Sequence, residues 1–178
     1  MVRYSKEDVL NKYERKRLID ECKTEKETFV IKVLMFTGLR ASEFANMRMS
    51  WVDWQRDLIY VPRMQGDWKP KTKAGARPIP MTREAKEVLY KFFQEENAVD
   101  IHRSTVYRIV TGVGSRIKPF KKVYPHSLRA TFASMMAEKG MGAADIQSIM
   151  GWDKLETANN YVRSTESINN FREKMQDV

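Results

Sequence analysis

The stretch from Thr24 to Gly38, TEKETFVIKVLMFTG, constrains the fold more than any other part of the chain. Thr24 with Glu27 has the pattern of a capping box, which starts a helix, and Gly38 is a residue type that commonly ends one. Apolar side chains lie on nearly all sides of the intervening helix, which predicts a fully buried helix. With 178 residues the chain is long enough to surround such a helix within one domain.

Helical patterns recur on both sides of this segment. Ser5 predicts the start of an earlier helix that includes Val9, Leu10, Tyr13 and Leu18. A new turn of helix is expected near Ala41–Ser42, so that Arg40 lies in a tight junction between two helices. Further helices are expected at about 82–96, 104–117, 127–139, 143–150, 154–162 and 166–176.

The pattern changes to short β-like pieces after residue 50. They cover 51–54, 58–62 and 76–80, with a turn at 55–57 and a loop at 63–75 that is rich in Lys, Gly and Pro. We therefore predict a mainly α fold with a small three-stranded antiparallel β-sheet. The expected organisation is a single domain over residues 1–178.

The charge distribution indicates the kind of partner. The chain has 32 Lys and Arg against 23 Asp and Glu, a net charge of +9, and Ile101 to Ala137 contains basic residues but no acidic ones. A polyanion is the natural partner for such a surface, although a solvated basic face is the alternative. The single Cys22 excludes an intrachain disulfide, and no apolar run or signal sequence is present. These features predict a cytoplasmic protein without membrane association.

Two charged residues in the first half of the chain are candidates for chemistry. Arg40 follows a glycine at a helix end, and Glu43 lies on the same side one turn later, where it can orient the guanidinium. Lys73 lies in the loop between two strands, where a long side chain can reach a ligand. Each has a simpler explanation, a surface ion pair for Arg40 and a solvated lysine for Lys73.

Four further candidates lie in the second half. His126 and Arg129 are three residues apart across the helix start that Pro125 sets, so both project toward the positive end of that helix, where an anion is expected. Trp152 and Tyr161 are nine residues apart with a turn between them. Taken singly, the histidine fits a capping or core position and the tyrosine a half-buried one.

In this order the six residues resemble the active-site series of the tyrosine recombinases, also called the phage integrase family. The resemblance rests on four motifs and extends from about Thr24 to Arg163. The motifs are TGLRASE, KTKAGARPIP, HSLRATFAS and MGWDKLETANNY.

The resemblance implies site-specific cleavage and rejoining of DNA through a 3′-phosphotyrosine. Tyr161 is the implied nucleophile, and its phenol, with an ordinary pKa of about 10, needs help in losing its proton. His126 is the candidate base, and Lys73 would protonate the departing 5′ oxygen. The scheme needs no metal ion and no nucleotide cofactor, because the phosphoester energy is kept in the covalent link.

The remaining residues of the series act on the phosphate. Arg40 and Arg129 would hold its non-bridging oxygens, and Trp152 would donate one more hydrogen bond. Glu43 is expected to hold Arg40 in place. Many members have histidine where this chain has Trp152, so one proton carrier is missing.

The implied partner is double-stranded DNA, bound by a homotetramer that is monomeric without DNA. Basic residues of the segment from Ile101 to Ala137 are expected to contact backbone phosphates. They are Arg103, Arg108, Arg116, Lys118, Lys121 and Lys122. Residues 165–178 are predicted to form a tail helix. Its apolar stripe (Ile168, Phe171 and Met175) could dock on a neighbouring subunit or pack within the same chain.

Family enzymes usually carry an N-terminal core-binding domain, which a chain of this length cannot include. The sequence is therefore either a catalytic fragment or an unusually short recombinase. A type IB topoisomerase, which uses a similar residue set, and a non-catalytic DNA-binding module are the alternative functions. A metal-dependent nuclease is disfavoured because no cluster of carboxylates stands out in the sequence.

Overall fold

The fold is mainly helical with one small antiparallel sheet, as predicted. The computed structural model describes residues 9–117 and 122–176, the latter without the side chains of 168–174 and 176. The described helices are α1 (Lys12–Asp20), α2 (Glu25–Thr37), α3 (Ala41–Ala45), α4 (Arg83–Phe93), α5 (Arg103–Gly114), α6 (Pro125–Glu138), α7 (Ala143–Met150) and α8 (Leu155–Gln176). The strands are β1 (Val52–Asp53), β2 (Leu58–Val61) and β3 (Arg77–Pro80), and 3₁₀ turns span Met49–Trp51 and Lys73–Gly75.

Helix α2 lies at the centre of the domain, as its apolar sequence predicts. It packs against α1, α4, α5 and α6 and supplies much of the larger apolar core. The Thr24 hydroxyl accepts a hydrogen bond from the Glu27 backbone N–H at 3.1 Å, while the Glu27 carboxylate accepts from the Lys23 N–H at 2.6 Å. Gly38 ends the helix in the left-handed conformation with φ of 63°. Both predicted ends of α2 are thus confirmed.

The sheet directs one arginine into the protein. Its strand order is β1-β2-β3, with Ile59 opposite Ile79 and Val61 opposite Arg77. Side chains alternate between the two faces of a strand, so Arg77 points to the same buried side as Ile79. Arg77 is 6% exposed, which is unusual for an arginine and requires partners inside the fold.

Helices α1 and α6 begin at other residues than expected, and α4 and α5 each end three residues early, at Phe93 and Gly114. Helix α1 begins at Lys12, because the side chain of Asn11 caps it through the Glu14 N–H at 2.9 Å. Val9 and Leu10 therefore precede the helix, and Ser5 lies outside the described residues. Helix α6 begins at Pro125, two residues early, because proline is well suited to the first position of a helix.

The expected helices at 154–162 and 166–176 form one continuous helix, α8. Thr165 does not interrupt it, because its hydroxyl donates to the Tyr161 carbonyl one turn earlier, at 3.1 Å. The predicted tail helix is therefore the end of α8 rather than a separate element. The side chains of Ile168 and Phe171 lie outside the described part, and Met175 is exposed.

A second, smaller apolar cluster joins α6, α7 and α8. Its buried members are Ala130, Phe132, Ala133, Ala137, Ile146, Met150, Trp152, Ala158 and Tyr161. This cluster fixes the end of α7 and the start of α8 against α6, so that the predicted site residues on these three helices come close together. Among the described residues, no helix has the length and apolar character needed to cross a membrane.

Candidate active site

Arg40 is held by contacts within its own turn and by one distant carbonyl. It is the N-cap residue of α3, and its Nη1 donates to Glu43 Oε1 at 2.7 Å while its backbone N–H donates to Glu43 Oε2 at 2.8 Å. Its Nη2 donates to the Gly151 carbonyl at 2.8 Å. The predicted pairing of Arg40 with Glu43 is present, and it leaves the guanidinium only partly covered, with a 21% exposed side chain.

Glu43 is the centre of the charged network. It is fully buried, and besides Arg40 it accepts two bonds from Arg77, at 2.9 Å from Nη1 and 3.1 Å from Nη2. Burial opposes ionisation of this carboxyl, but the Arg77 hydrogen bonds and the charges of Arg77, Arg129 and Arg40 outweigh it and lower the pKa of Glu43 to about 2. The carboxylate is therefore ionised at neutral pH and binds two arginines at once.

Arg129 lies deeper than Arg40. It is 5% exposed and donates through Nη1 to the Gly38 carbonyl and through Nη2 to the Met150 carbonyl. Its guanidinium carbon lies 5.8 Å from the centre of the Trp152 ring, a cation–π contact. Burial and the neighbouring charges of Arg40 and Arg77 lower the pKa of Arg129, while Glu43 and Tyr161 oppose that change. Burial and the two positive charges thus outweigh the effect of Glu43 on Arg129.

The C-terminal end of α7 anchors all three arginines. Three consecutive carbonyls accept from three different guanidinium groups, Ile149 from Arg77 at 2.5 Å, Met150 from Arg129 and Gly151 from Arg40 at 2.8 Å. The last carbonyls of a helix have no partner within it and carry its negative partial charge, so cations are favoured there. One helix end therefore sets the relative positions of the three side chains.

Gly151 is required at this helix end for two reasons. Its φ of 59° lies in the left-handed region, and a Cβ at this position would come within 2.5 Å of the Ala74 carbonyl oxygen. The missing side chain lets the chain of Lys73–Gly75 approach the end of α7. Gly38 makes a similar approach possible at the end of α2, where a Cβ would meet the Phe132 ring at 2.5 Å.

The site has an excess of positive charge. In the part of the chain that the structure describes, Arg40, Arg77 and Arg129 face one carboxylate, Glu43, so the cluster carries a net charge of +2. The backbone carbonyls supply hydrogen-bond acceptors but no full negative charge. An anion placed beside Arg40 and Arg129 offsets this excess, and a tetrahedral phosphate group fits donors of this kind.

Trp152 and Tyr161 lie against this cluster. Their rings are stacked with centroids 5.4 Å apart and an interplanar angle of 17°, and both residues are buried, at 8% and 2% exposure. Tyr161 is thus more deeply buried than the half-buried position considered from the sequence. Its phenol lies close enough to Arg129 to influence the pKa of that guanidinium. The structure therefore brings the candidate nucleophile and the positive cluster together.

His126 and Lys73 lie on the solvent-exposed side of the same region. His126 is in the first turn of α6, three residues before Arg129, so the two project from neighbouring positions of one helix. Lys73 begins the 3₁₀ turn that ends at Gly75, and a Cβ on Gly75 would lie 3.6 Å from Arg40 Nη1. The lysine turn is therefore next to the arginine cluster.

Comparison with known proteins identifies the family of the chain. A model of the phage integrase family matches residues 8–167. The chain belongs to the phage integrase family. It is 30% identical over 168 residues to the tyrosine recombinase XerA of Pyrococcus furiosus, covering 88% of this chain and 57% of that protein.

Solved structures of a recombinase and of an integrase have a similar fold. A crystal structure of a XerA recombinase superposes with a TM-score of 0.70 at 27% identity, covering 86% of this chain and 57% of that one. The Tn1549 transposon integrase, solved in complex with circular intermediate DNA, has a TM-score of 0.72 at 22% identity, covering 89% of this chain and 63% of that one. This phage integrase family chain spans about half the length of the curated relatives that it matches.

The basic residues expected to contact DNA divide into three groups in this family member. Arg103, Arg108 and Lys122 are exposed, whereas Lys118 and Lys121 lie outside the described residues. Arg116 is engaged elsewhere, because its guanidinium binds Glu27 through two bonds of 2.8 Å and donates to the Glu21 carbonyl at 2.9 Å. These contacts join the end of α5 to the start of α2 and give Arg116 a structural role, so it is left out of the DNA contacts that we propose.

Arg77 is a charged residue of the arginine cluster that the sequence analysis missed. The sequence does contain a signal for it, because the alternation in Arg77–Pro80 places the arginine on the same face as the apolar Ile79. A strand position that alternates with core residues predicts burial, and a buried arginine needs a carboxylate partner. Its partner, Glu43, is 34 residues away in the sequence.

Proposed function

We propose that the chain is the catalytic domain of a site-specific DNA recombinase that cleaves and rejoins strands through a 3′-phosphotyrosine. The observation that carries the proposal is the largely buried cluster of Arg40, Arg77 and Arg129 near Glu43, which has an excess charge of +2 beside Tyr161. A matched relative is named a tyrosine recombinase, and the Tn1549 integrase was solved with DNA. These names favour a recombinase over a topoisomerase or a non-catalytic binding module.

The scissile phosphate binds between Arg40 and Arg129 in this proposal. Each offers guanidinium N–H groups to the non-bridging oxygens, and the charge that accumulates in the pentavalent transition state strengthens these contacts. The carbonyls of Gly38, Met150 and Gly151 hold the two side chains before the substrate arrives, so little reorganisation is needed at that step. The Trp152 indole N–H is the further donor.

Covalent chemistry starts at the Tyr161 hydroxyl. Its oxygen forms a bond to phosphorus as the bond from phosphorus to the 5′ oxygen breaks, and the phenolic proton passes to His126. Lys73 gives a proton to the departing 5′ oxygen. The product is a 3′-phosphotyrosine and a free 5′-hydroxyl, and attack by a 5′-hydroxyl of a second strand reverses the step. Neither a metal ion nor a nucleotide cofactor enters the scheme.

Double-stranded DNA is the proposed partner, bound by a homotetramer that is monomeric in its absence. Exposed Arg103, Arg108 and Lys122 are proposed to bind backbone phosphates, which makes affinity dependent on salt rather than on sequence. The end of α8 is proposed to contact a neighbouring subunit. We further propose a cytoplasmic, nucleoid-associated protein, since the proposed activity requires access to DNA. We also propose a single domain over residues 1–178, because α6 packs against both α2 and α8.

A covalent adduct with a nicked suicide duplex tests this function. We expect wild-type protein to form an adduct that maps to Tyr161, and Tyr161→Phe to form none while binding the duplex with nearly unchanged affinity, because affinity comes from basic groups. The Phe ring keeps the stacking on Trp152, so the folded state is retained. A DNA-linked peptide in the Phe variant contradicts the assignment. Tyr107→Phe, an exposed tyrosine on α5, is the matched control.

A further inference from the structure

We propose that Arg77 is a positioning residue that fixes the Lys73 turn relative to the arginine cluster. The inference rests on the proposed function, in which Lys73 protonates the departing 5′ oxygen. Arg77 itself is buried and stands apart from the six residues to which the resemblance gives catalytic roles. Its effect on the reaction therefore passes through another side chain.

The contacts of Arg77 connect three parts of the site. Nη1 donates to the Gly75 carbonyl at 2.6 Å and to Glu43 at 2.9 Å, Nη2 donates to Glu43 at 3.1 Å, and Nε donates to the Ile149 carbonyl at 2.5 Å. Gly75 is the last residue of the 3₁₀ turn that starts at Lys73. One guanidinium thus ties the lysine turn to the carboxylate that holds Arg40 and to the end of α7.

The lysine turn has few bonds of its own. Within it the Gly75 N–H donates to the Thr72 carbonyl at 2.9 Å, and the Ala76 N–H donates to the Lys73 carbonyl at 3.4 Å. The Arg77 bond to the Gly75 carbonyl is a charge-assisted contact, which is stronger than a neutral one. Lys73 is exposed and lies two residues from that carbonyl. The position and direction of its side chain relative to the arginine cluster therefore depend on the position of the turn.

Arg40 depends on Arg77 much less. It keeps two bonds to Glu43 and one to the Gly151 carbonyl, and none of these includes an Arg77 atom. Loss of Arg77 therefore disturbs the proton donor more than the phosphate clamp. Arg77→Lys keeps the charge, but a single ammonium group cannot donate to Gly75, Glu43 and Ile149 with the geometry of the planar guanidinium.

The test compares two substrates in Arg77→Lys. Single-turnover cleavage is measured on an ordinary suicide duplex and on one with a 5′-bridging phosphorothiolate, whose sulfur leaves without a proton. We expect the variant to be slower than wild type by about 10-fold or more on the oxygen substrate, since misplacement by about 1 Å removes much of the benefit of a positioned acid. On the sulfur substrate we expect a rate within about 3-fold of wild type.

The ratio of the two rates is measured on one protein sample, so a smaller folded fraction cancels. Arg83→Lys is the matched control, because Arg83 is an exposed arginine on α4 paired with Glu87 at 2.9 Å, and its ratio should equal that of wild type. Should Arg77→Lys fail to fold, Arg77→Gln serves instead, since it keeps a neutral donor toward the Gly75 carbonyl. We expect its cleavage rate, relative to wild type, to be higher on the sulfur substrate than on the oxygen substrate.

A double-mutant comparison identifies the residue through which Arg77 acts. We expect Arg77→Lys combined with Lys73→Ala to be no slower on the oxygen substrate than Lys73→Ala alone, because the acid that Arg77 positions is already missing. Equal slowing of Arg77→Lys on both substrates, or a wild-type rate on both, overturns the positioning role of Arg77 and leaves the proposed function standing. A wild-type chain that forms no adduct contradicts the proposed function, and a Lys73→Ala variant that sulfur does not rescue contradicts the acid role on which the inference depends.

Discussion

Replacing Glu43 by glutamine tests how the site holds its positive charge. The substitution keeps the size of the side chain but removes the only carboxylate that contacts Arg40 and Arg77 among the described residues. Three guanidinium groups then share a buried site without a counterion. Removing one partner of a buried ion pair leaves an uncompensated charge, which is among the larger effects of a single substitution.

The pKa of Glu43 gives the magnitude and the sign of the effect on the free energy of unfolding. The folded state lowers this pKa from 4.5 to about 2, so ionised Glu43 stabilises the fold at pH values above its unfolded pKa, and the contribution is lost as pH falls toward 2. By linkage the contribution is about 3 kcal/mol at pH 7 and about 1 kcal/mol at pH 3. We expect Glu43→Gln to lower the free energy of unfolding by these amounts.

Urea unfolding followed by far-UV circular dichroism at pH 7, 5 and 3 measures the difference. Glu87→Gln is the control, because Glu87 pairs with Arg83 at 2.9 Å on an exposed helix surface with 63% and 88% of the side chains accessible. Such a pair contributes at most about 0.5 kcal/mol. A loss in Glu43→Gln that stays constant from pH 7 to pH 3 would show that packing rather than charge is responsible, and would refute the argument.

Three further outcomes are expected. Arg129→Ala slows single-turnover cleavage by about 10²-fold or more, the scale for one donor to a developing anion, and a wild-type rate would leave Arg129 with a structural role only. Inorganic phosphate raises the thermal unfolding midpoint of wild type more than that of Arg40→Ala, because it binds the folded site by mass action; equal shifts would contradict the anion site. Gly151→Ala is destabilised by more than Gly140→Ala in urea unfolding, because both glycines have positive φ but, of the two, Gly151 lacks room for a Cβ. Equal losses of unfolding free energy would show that backbone strain alone is responsible.

Local patterns predicted most of the fold. The apolar surface of α2, its Thr24 cap and its Gly38 end are all encoded within 15 neighbouring residues, and the two-residue alternation of β2 and β3 is equally local. The Arg40–Glu43 pair was predictable for the same reason, since three residues apart on a helix means adjacent in space. Boundaries were less certain where two residues compete for a role, as Pro125 and Ser127 do at the start of α6.

The contacts that build the site are not encoded in this way. Arg40 binds the carbonyl of a residue 111 positions away, Arg129 one that is 91 positions away and Arg77 one that is 72 positions away. Every residue except proline offers the same backbone groups, so a carbonyl acceptor has no signature in the sequence. The packing of α2, α3, β3, α6 and α7 determines which carbonyls face which arginines. The buried position of Tyr161 depends on the same packing.

Anchoring by backbone carbonyls has a consequence for how the parts of the site are coupled. Ile149, Met150 and Gly151 are consecutive, and the next residue is Trp152, which stacks on Tyr161. The arginines that are proposed to bind phosphate and the tyrosine that is proposed to attack it therefore share one anchor, the end of α7. A displacement of this helix end moves the guanidinium groups and the indole together, so the clamp and the nucleophile keep their relative positions better than two independent loops would. The left-handed turn at Gly151, where a Cβ would come within 2.5 Å of the Ala74 carbonyl oxygen, is therefore a position where a substitution displaces the anchor that the clamp and the nucleophile share.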